Sequence, residues 1–430
     1  MTDLPTLSHQ QYTIGWICAL PVELAAGQSM LDAEHGIPPH NPHDQNTYTF
    51  GRIGKHNVVM ACLPAGTTGI GPAAKVAMQM QQTFQRLEFG LMVGVGGGVP
   101  NQEHDIRLGD VVVSQPTETH GGVMQYDLGK TTQEGRFLRT GTLNKPPGFL
   151  LTALSTLQAK HLLSGSDFMS YMSLALEKYP SMADKFIRPP DDSDVLYEAD
   201  YDHPEGNTTC SKCDADRQVL RTSRTAKHSI AHYGLIASAN QVMRHGATRE
   251  KLRREVRPLC FEMEAAGLMD DFRCLVIRGI CDYSDSHKNK MWQPYSAISA
   301  ACYSKKLLYT IPGRRVTDTG IIAEAVDYPG KYNFDENDPP ISKHLQDCIL
   351  CWCASSVFFS EQGQLGASIC QGDARGFSAG CKQYECVLQQ CLKINILWKQ
   401  EVHPWRKTLR CHVRVSQGLR LQHLRQTCRQ

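Results

Sequence analysis

Residues 91–98 read Leu91-Met92-Val93-Gly94-Val95-Gly96-Gly97-Gly98. An apolar run bounded by glycines predicts a strand over 91–95 that is covered on both faces, as the inner strands of α/β sheets are. The glycines at 94 and 96–98 expose backbone N–H groups and let a ligand approach the chain. The spacing is not the G-x-G-x-x-G of a dinucleotide-binding turn, and no helical pattern follows directly. Alone, the segment is more readily a place where the chain simply reverses.

The text on either side repeats the strand theme. Further strands are expected over 12–19, 48–53, 57–63, 110–114, 235–237 and 274–280, several of them apolar throughout. Between them, Ala73, Val76, Ala77, Met80, Phe84 and Leu87 recur at helical spacing and predict a helix over 71–87. Ala265, Leu268, Met269 and Phe272 predict a second, and 295–309 a third that Pro312 stops. Strand and helix in alternation predict one α/β domain over residues 10–313. Residues 129–229 break the rhythm: they are polar, carry Pro146-Pro147 and Pro189-Pro190, and hold an acidic run at 191–194. They read as a long insertion with helix around 150–163 and irregular backbone elsewhere. Residues 314–430 read as a linker followed by an irregular C-terminal extension, with seven Lys or Arg against one acidic residue from 401 onward. Solvated chain is the expectation there, rather than a nucleic-acid grip.

Composition narrows the function classes. The chain has 430 residues, 41% of them hydrophobic, and a formal charge of +2, which argues against a protein built to hold nucleic acid or an anionic membrane. No signal-peptide pattern opens the sequence, and no apolar stretch approaches the roughly 20 residues of a membrane span. Nine of the 17 cysteines lie between 348 and 428, and Cys18, Cys62, Cys274 and Cys281 sit in apolar segments as small hydrophobes do. A reducing, cytoplasmic setting is expected.

Three further segments carry candidate chemistry. Phe261-Glu262-Met263-Glu264-Ala265-Ala266 places two acids around a methionine at a helix start; Glu264 suits a cap, whereas Glu262 is harder to explain that way. Arg278-Gly279-Ile280-Cys281-Asp282-Tyr283-Ser284-Asp285 puts Asp282 at the end of a strand, where ligands of open α/β sheets collect, although by itself the motif is more plainly a loop or N-cap aspartate. Cys18-Ala19-Leu20-Pro21-Val22-Glu23-Leu24 places Glu23 just past the first strand, where a solvated helix-terminal glutamate is the plain alternative.

Together with the glycine segment, these resemble in order the motifs of the purine and uridine phosphorylase superfamily. The likeness is greatest to its methylthioadenosine/S-adenosylhomocysteine nucleosidase branch, and within that to nucleosidase-like domains of filamentous fungi. Residues 59–64, 107–114, 121–127 and 236–241 share it, so the resemblance covers about residues 12–312 and none of the tail. It implies a three-layer α/β/α domain around a central mixed sheet, with no cofactor and no metal. It also implies that Asp282 protonates N7 of a purine, that Glu264 after Met263 holds the ribose hydroxyls, and that Glu23 positions and deprotonates the attacking water. Glu262, Val95, Gly96, Gly97, Gln241, Val242 and Arg278 would complete the substrate site. Breaking an N-glycosidic bond independently wants an acid at the base and a base at the water. Phosphorylases of the superfamily hold phosphate with arginines and a serine; the corresponding stretches here offer Glu23, Met92 and Val95, which favours water as the nucleophile.

Two features stand outside the resemblance. Cys210 and Cys213 have metal-ligand spacing, with His203 and His228 near in sequence, though a reduced pair is the plainer expectation. Arg217, Arg221 and Arg224 precede the strand leading to Gln241, and would engage a 5′-phosphate if they faced the sugar, with solvated charges at least as good a reading. The function expected is hydrolysis of the N-glycosidic bond of an adenine-type purine nucleoside or nucleotide. The alternatives are a phosphate-dependent phosphorylase and a catalytically silent nucleotide-sensing domain of a signalling protein. A small-molecule partner is expected, with neither nucleic acid nor membrane, and room for a homo-oligomer.

Overall fold

The computed structural model describes residues 4–206, 209–224 and 228–313, together with 396–398, 402–403, 406–407 and 411–413. The chain divides into two units, Met1–Ala323 and Glu324–Gln430.

The first unit begins with β1 (Ile14–Cys18), α1 (Pro21–Ser29), the two-residue β2 (Ala33–Glu34), β3 (Tyr48–Ile53), β4 (His56–Cys62) and α2 (Ile70–Thr83). The long β5 (Phe89–Gly98), β6 (Val111–Ser114) and β7 (Val123–Gln125) follow, then a small hairpin, β8 (Gly129–Thr131) and β9 (Phe137–Arg139). Next come α3 (Gly148–Ser164), α4 (Ser170–Lys178) and α5 (Ala183–Phe186). The unit ends with β10 (Ala231–Gly234), β11 (Ile236–Ser238), α6 (Gly246–Val256), β12 (Cys260–Glu262), β13 (Cys274–Asp282) and α7 (Gln293–Thr310).

One mixed sheet organises these elements in the order β10-β6-β13-β5-β1-β4-β3-β2, with β12, β11 and β7 branching from the far end of β5. β1 pairs in parallel with β4 and β5, and β5 in parallel with β13, so the centre of the sheet is parallel. The flanks are antiparallel where β13 meets β6 and β3 meets β4. Every residue of β1, β6 and β13 is buried, which is why their sequences show no alternation.

Helices cover both faces. On one, α1, α3 and α7 pack Ala26, Met30, Leu154, Leu157, Ile298 and Leu307 onto Trp16, Val93 and Ile277. On the other, the stripe Ala73, Val76, Ala77, Met80 of α2 meets Ile17, Val59, Met92 and Val276. A smaller cluster built on Met124, Ala237, Leu252 and Phe261 backs the branched strands. The layers are α/β/α around a central mixed sheet, as the sequence predicts.

Two expectations change. Residues 265–272 form only a 3₁₀ turn, Ala265–Gly267, followed by further turns. The helical spacing there reflects the burial of Ala265, Leu268, Met269 and Phe272, which all enter one core cluster with α2 although the backbone runs through turns rather than a helix. The insertion is also more regular than its prolines suggest, with α4, α5 and the β8–β9 hairpin besides α3.

The region expected to be an irregular tail lies outside the described residues except for four short strands. β14 (Ile396–Trp398) pairs antiparallel with β17 (Cys411–Val413), and β15 (Val402–His403) with β16 (Arg406–Lys407). Among the described residues, no helix is long and apolar enough to cross a membrane.

Candidate active site

A cavity of about 210 Å³ opens at the C-terminal ends of β1, β5, β11, β12 and β13. Glu23, Glu264 and Asp282 line it from three separate strand ends, with Val95, Gly96 and Gly97 between them. Glu262, Met263, Gln241 and Val242 complete the set that sequence reasoning places there. Arg278 does not line it. Its side chain is fully buried within the sheet behind the cavity, because β13 points it at the carboxylates rather than at the opening.

Each carboxylate is fixed by its local fold. Pro21 opens α1, and Glu23 stands at the third helical position with 3% exposure. Its Oε2 accepts the N–H of Ala19 at 2.7 Å and of Leu20 at 2.9 Å, and Oε1 accepts that of Val95 at 2.7 Å. It therefore caps its own helix, but it is not the solvated residue that a terminal glutamate usually is. Burial raises its pKa despite the opposing Arg278 charge and those three donors. The bond from Val95 also assigns a job to the glycine segment: its backbone holds Glu23.

In the Glu262–Glu264 pair the capping roles are the reverse of the expectation. Glu262 accepts the backbone N–H of Glu264 at 3.1 Å and of Ala265 at 2.9 Å, and also binds Arg278. Glu264 is the freer of the two, receiving Gly69 N–H at 3.3 Å just before α2 and lying 3.5 Å from Arg278. Burial pushes the pKa of Glu264 up to about 7; Arg278 opposes this, while Glu262 and Glu23 add to it. Burial works against the charge on Arg278, but Glu262, Glu264 and Glu23 outweigh it and hold the guanidinium protonated.

Asp282 is 5% exposed. Its Oδ1 accepts Ser284 N–H at 2.9 Å, and its Oδ2 accepts Lys288 Nζ at 2.7 Å and the Cys281 thiol at 3.2 Å. Sequence reasoning missed Lys288 and Ser284, both of which line the cavity. Their roles depend on the turn after β13, where Ser284 sits at φ 56°, and no spacing rule exposes that. The Ser284 hydroxyl is buried with no hydrogen-bond partner among the described residues. Burial disfavours the Lys288 ammonium, but Asp282 and Cys281 more than compensate and raise its pKa.

The glycines of β5 make room for these side chains more than for a ligand. A Cβ at Gly94 would stand 2.5 Å from both Arg278 Nη1 and Glu23 Oε1, and one at Gly97 would stand 2.5 Å from Asp282 Oδ1.

The three arginines lie elsewhere. Arg217 pairs with Asp200 at 2.7 Å, Arg221 with Asp194 at 3.0 Å and Tyr283 Oη at 2.8 Å, and Arg224 with Asp110 at 2.8 Å. None lines the cavity, so the expectation that they read a 5′-phosphate fails: their charges are already committed to carboxylates.

No protein-family model matches the chain. A nucleotide-binding leucine-rich repeat (NLR)-like protein of Hyaloscypha variabilis is 44% identical over 325 residues, which cover 75% of this chain and 32% of the relative. The chain thus spans about a third of that relative's length. Similar solved structures include futalosine hydrolase of Helicobacter pylori, at 16% identity and TM-score 0.44, covering 71% of this chain and 98% of that one. An H. pylori nucleosidase variant holding 5′-methylthioadenosine is similar at 15% identity and TM-score 0.44, over 69% and 98% of the two chains. A methylthioadenosine/S-adenosylhomocysteine nucleosidase of Colwellia psychrerythraea in complex with adenine is similar at 16% identity and TM-score 0.44, over 72% and 100%.

Proposed function

We propose that the cavity hydrolyses the N-glycosidic bond of an adenine-type purine nucleoside, with water as nucleophile. The observation that carries this reading is the convergence of Glu23, Glu264 and Asp282 from three strand ends on one small cavity. Each carboxylate is held in a different electrostatic setting, which is how one site runs acid and base chemistry together. Bond cleavage leaves positive charge on the sugar and negative charge on the base. Asp282 donates to N7 as that negative charge develops. The Lys288 ammonium, 2.7 Å from Oδ2, holds that carboxyl in place and stabilises the carboxylate left once the proton has gone. Glu23, oriented by three backbone donors and with its pKa raised by burial, takes the proton of the attacking water. Glu264 accepts the ribose hydroxyls, and Met263 and Phe261 supply apolar surface beside the base.

Charge favours hydrolysis over phosphorolysis. The cavity wall carries Glu23, Glu262, Glu264 and Asp282 against the single ammonium of Lys288, itself paired. A phosphate dianion would enter a negative pocket, and a 5′-phosphate would find no free arginine there, so a neutral nucleoside fits better than a nucleotide. A second reading draws on the NLR-like relative: the domain binds a nucleoside and signals without turnover. Incubating the full chain with adenosine, 5′-methylthioadenosine, AMP and guanosine, with and without phosphate, separates these. Free adenine with ribose or methylthioribose, and no stimulation by phosphate, is the expected result. Ribose 1-phosphate would identify a phosphorylase, and calorimetric binding without base release would identify a sensor.

Two predictions arise here. A bidentate acceptor for the ribose hydroxyls requires ionised Glu264, so kcat/KM falls as pH drops through about 7. In Glu264→Gln that limb disappears; if it persists, the titrating group is Glu23, and a flat wild-type profile removes the ribose role. In Gly97→Ala the added methyl meets both Ser284 Oγ and Asp282 Oδ1, so the turn carrying Asp282 must shift, and a misplacement of about 1 Å costs on the order of 10² in rate. Wild-type kcat in that variant would show that the close approach of Gly97 and Asp282 does not matter.

A further inference from the structure

Outside the cavity, the insertion and the turn after β13 bring His203, Cys210, Cys213 and His287 together, one ligand atom from each lying within 4.8 Å of all the others. We propose that these four residues form a structural zinc site that fastens the insertion to the Asp282 turn. Sequence reasoning paired the two cysteines with His203 and His228; the fold supplies His287 in place of His228.

The local geometry suits a tetrahedral ion. A 3₁₀ turn over Cys210–Lys212, closed by Cys213 N–H to Cys210 O at 3.0 Å, sets both thiols on one side. Their Sγ atoms stand 3.8 and 3.6 Å from His287 Nδ1. Zinc with bonds of about 2.3 Å to sulfur and about 2.0–2.1 Å to nitrogen has tetrahedral S···N edges of about 3.5–3.6 Å, so little movement closes the site. Both cysteines are free, not joined in a disulfide.

The second layer is already in place. His287 Nε2 lies 3.0 Å from Tyr201 O and donates to it, which leaves the Nδ1 lone pair facing the thiols. The imidazole is 8% exposed and stacks on Tyr197 at 4.0 Å between ring centroids. His203 has Pro204 O 3.1 Å from Nδ1 and Thr209 O 3.2 Å from Nε2. A neutral ring carries one N–H, so it can keep only one of those contacts, and the other nitrogen would turn its lone pair from the carbonyl to the metal. Two thiolates and two imidazoles select zinc, neutralise its charge and leave no open position for water, which makes the site structural. Binding releases the two thiol protons. His203 N–H donates to Ser286 Oγ at 2.9 Å, and the residue after His287 is Lys288, the partner of Asp282. The ion would thus hold the segment that sets the Asp282–Lys288 pair.

Metal content tests this independently of turnover. Untagged full chain, purified without chelator, should carry one more equivalent of zinc by mass spectrometry than Cys213→Ser, a comparison that cancels ions held by cysteines of the tail. Cobalt substitution should give tetrahedral visible bands with a thiolate charge-transfer band that is lost in Cys213→Ser. Should that variant not fold, Cys213→His should keep the equivalent with the charge-transfer intensity roughly halved. Equal zinc in wild type and Cys213→Ser, an undiminished charge-transfer band in Cys213→His, or a Cys210–Cys213 disulfide in fresh protein overturns the site.

Discussion

On the proposed reaction, Asp282→Asn is expected to lower kcat on a purine nucleoside by about 10²- to 10⁴-fold, the range a positioned general acid supplies, while the protein stays folded. The asparagine oxygen can still accept Ser284 N–H, so the turn after β13 keeps one of its anchors. Its amide cannot deliver a proton to N7, and it presents a donor to the Lys288 ammonium, which must turn away from a position it now holds at 2.7 Å. Loss is therefore expected in kcat far more than in KM, because N7 gains its proton only as the bond breaks. Base release followed by chromatography, beside a thermal melt, checks both halves. A variant with more than about a tenth of wild-type kcat would take Asp282 out of the chemistry.

Arg278→Met should lower stability by about 3–5 kcal/mol, the usual consequence of stranding buried carboxylates. The guanidinium has no exposure and lies against Glu262 and Glu264. Among the described residues its Nε and Nη1 have no hydrogen-bond partner, which moderates the loss toward the lower figure. The pH dependence gives the sharper test. Without the arginine, the folded-state pKa of Glu264 rises further above its unfolded value than the present value of about 7. A raised folded pKa gives stability that is fully present below the unfolded pKa and is lost as pH rises through the folded one. The gap between variant and wild type should therefore be larger near pH 8 than near pH 5.5. Denaturant titrations at both pH values decide it, and an equal gap would mean that the carboxylates do not depend on Arg278.

The strands and helices that were legible in the sequence are those whose burial is one-sided or total. β3 runs over the predicted residues and β13 exceeds its prediction by two at one end, because Leu275, Val276 and Ile277 are apolar with no competing pattern. α1 and α6 were not legible. α1 buries Glu23, which a hydrophobic stripe cannot announce. α6 has six charged residues among its eleven and is held instead by Arg249, which donates to Tyr283 O at 2.6 Å and pairs with Asp285 at 3.2 Å. The same division runs through the site. Motif order pointed to Glu23, Glu264 and Asp282, whereas Lys288, Ser284 and His287 owe their places to a tight turn and to partners distant in sequence. Arg278 was found by motif but misplaced, since position on a strand does not tell which way a side chain faces.

The cavity draws its walls from both ends of the domain, from Glu23 after β1 to Lys288 after β13. During synthesis, then, a ribosome must release nearly the whole domain before any pocket exists. A chain cut short before β13 would lack the inner strand between β5 and β6 as well as the acid, and would expose the edges that β13 covers. The pocket is thus complete only once translation has passed residue 293, and any ligand that binds there would favour finished domains over unfinished ones.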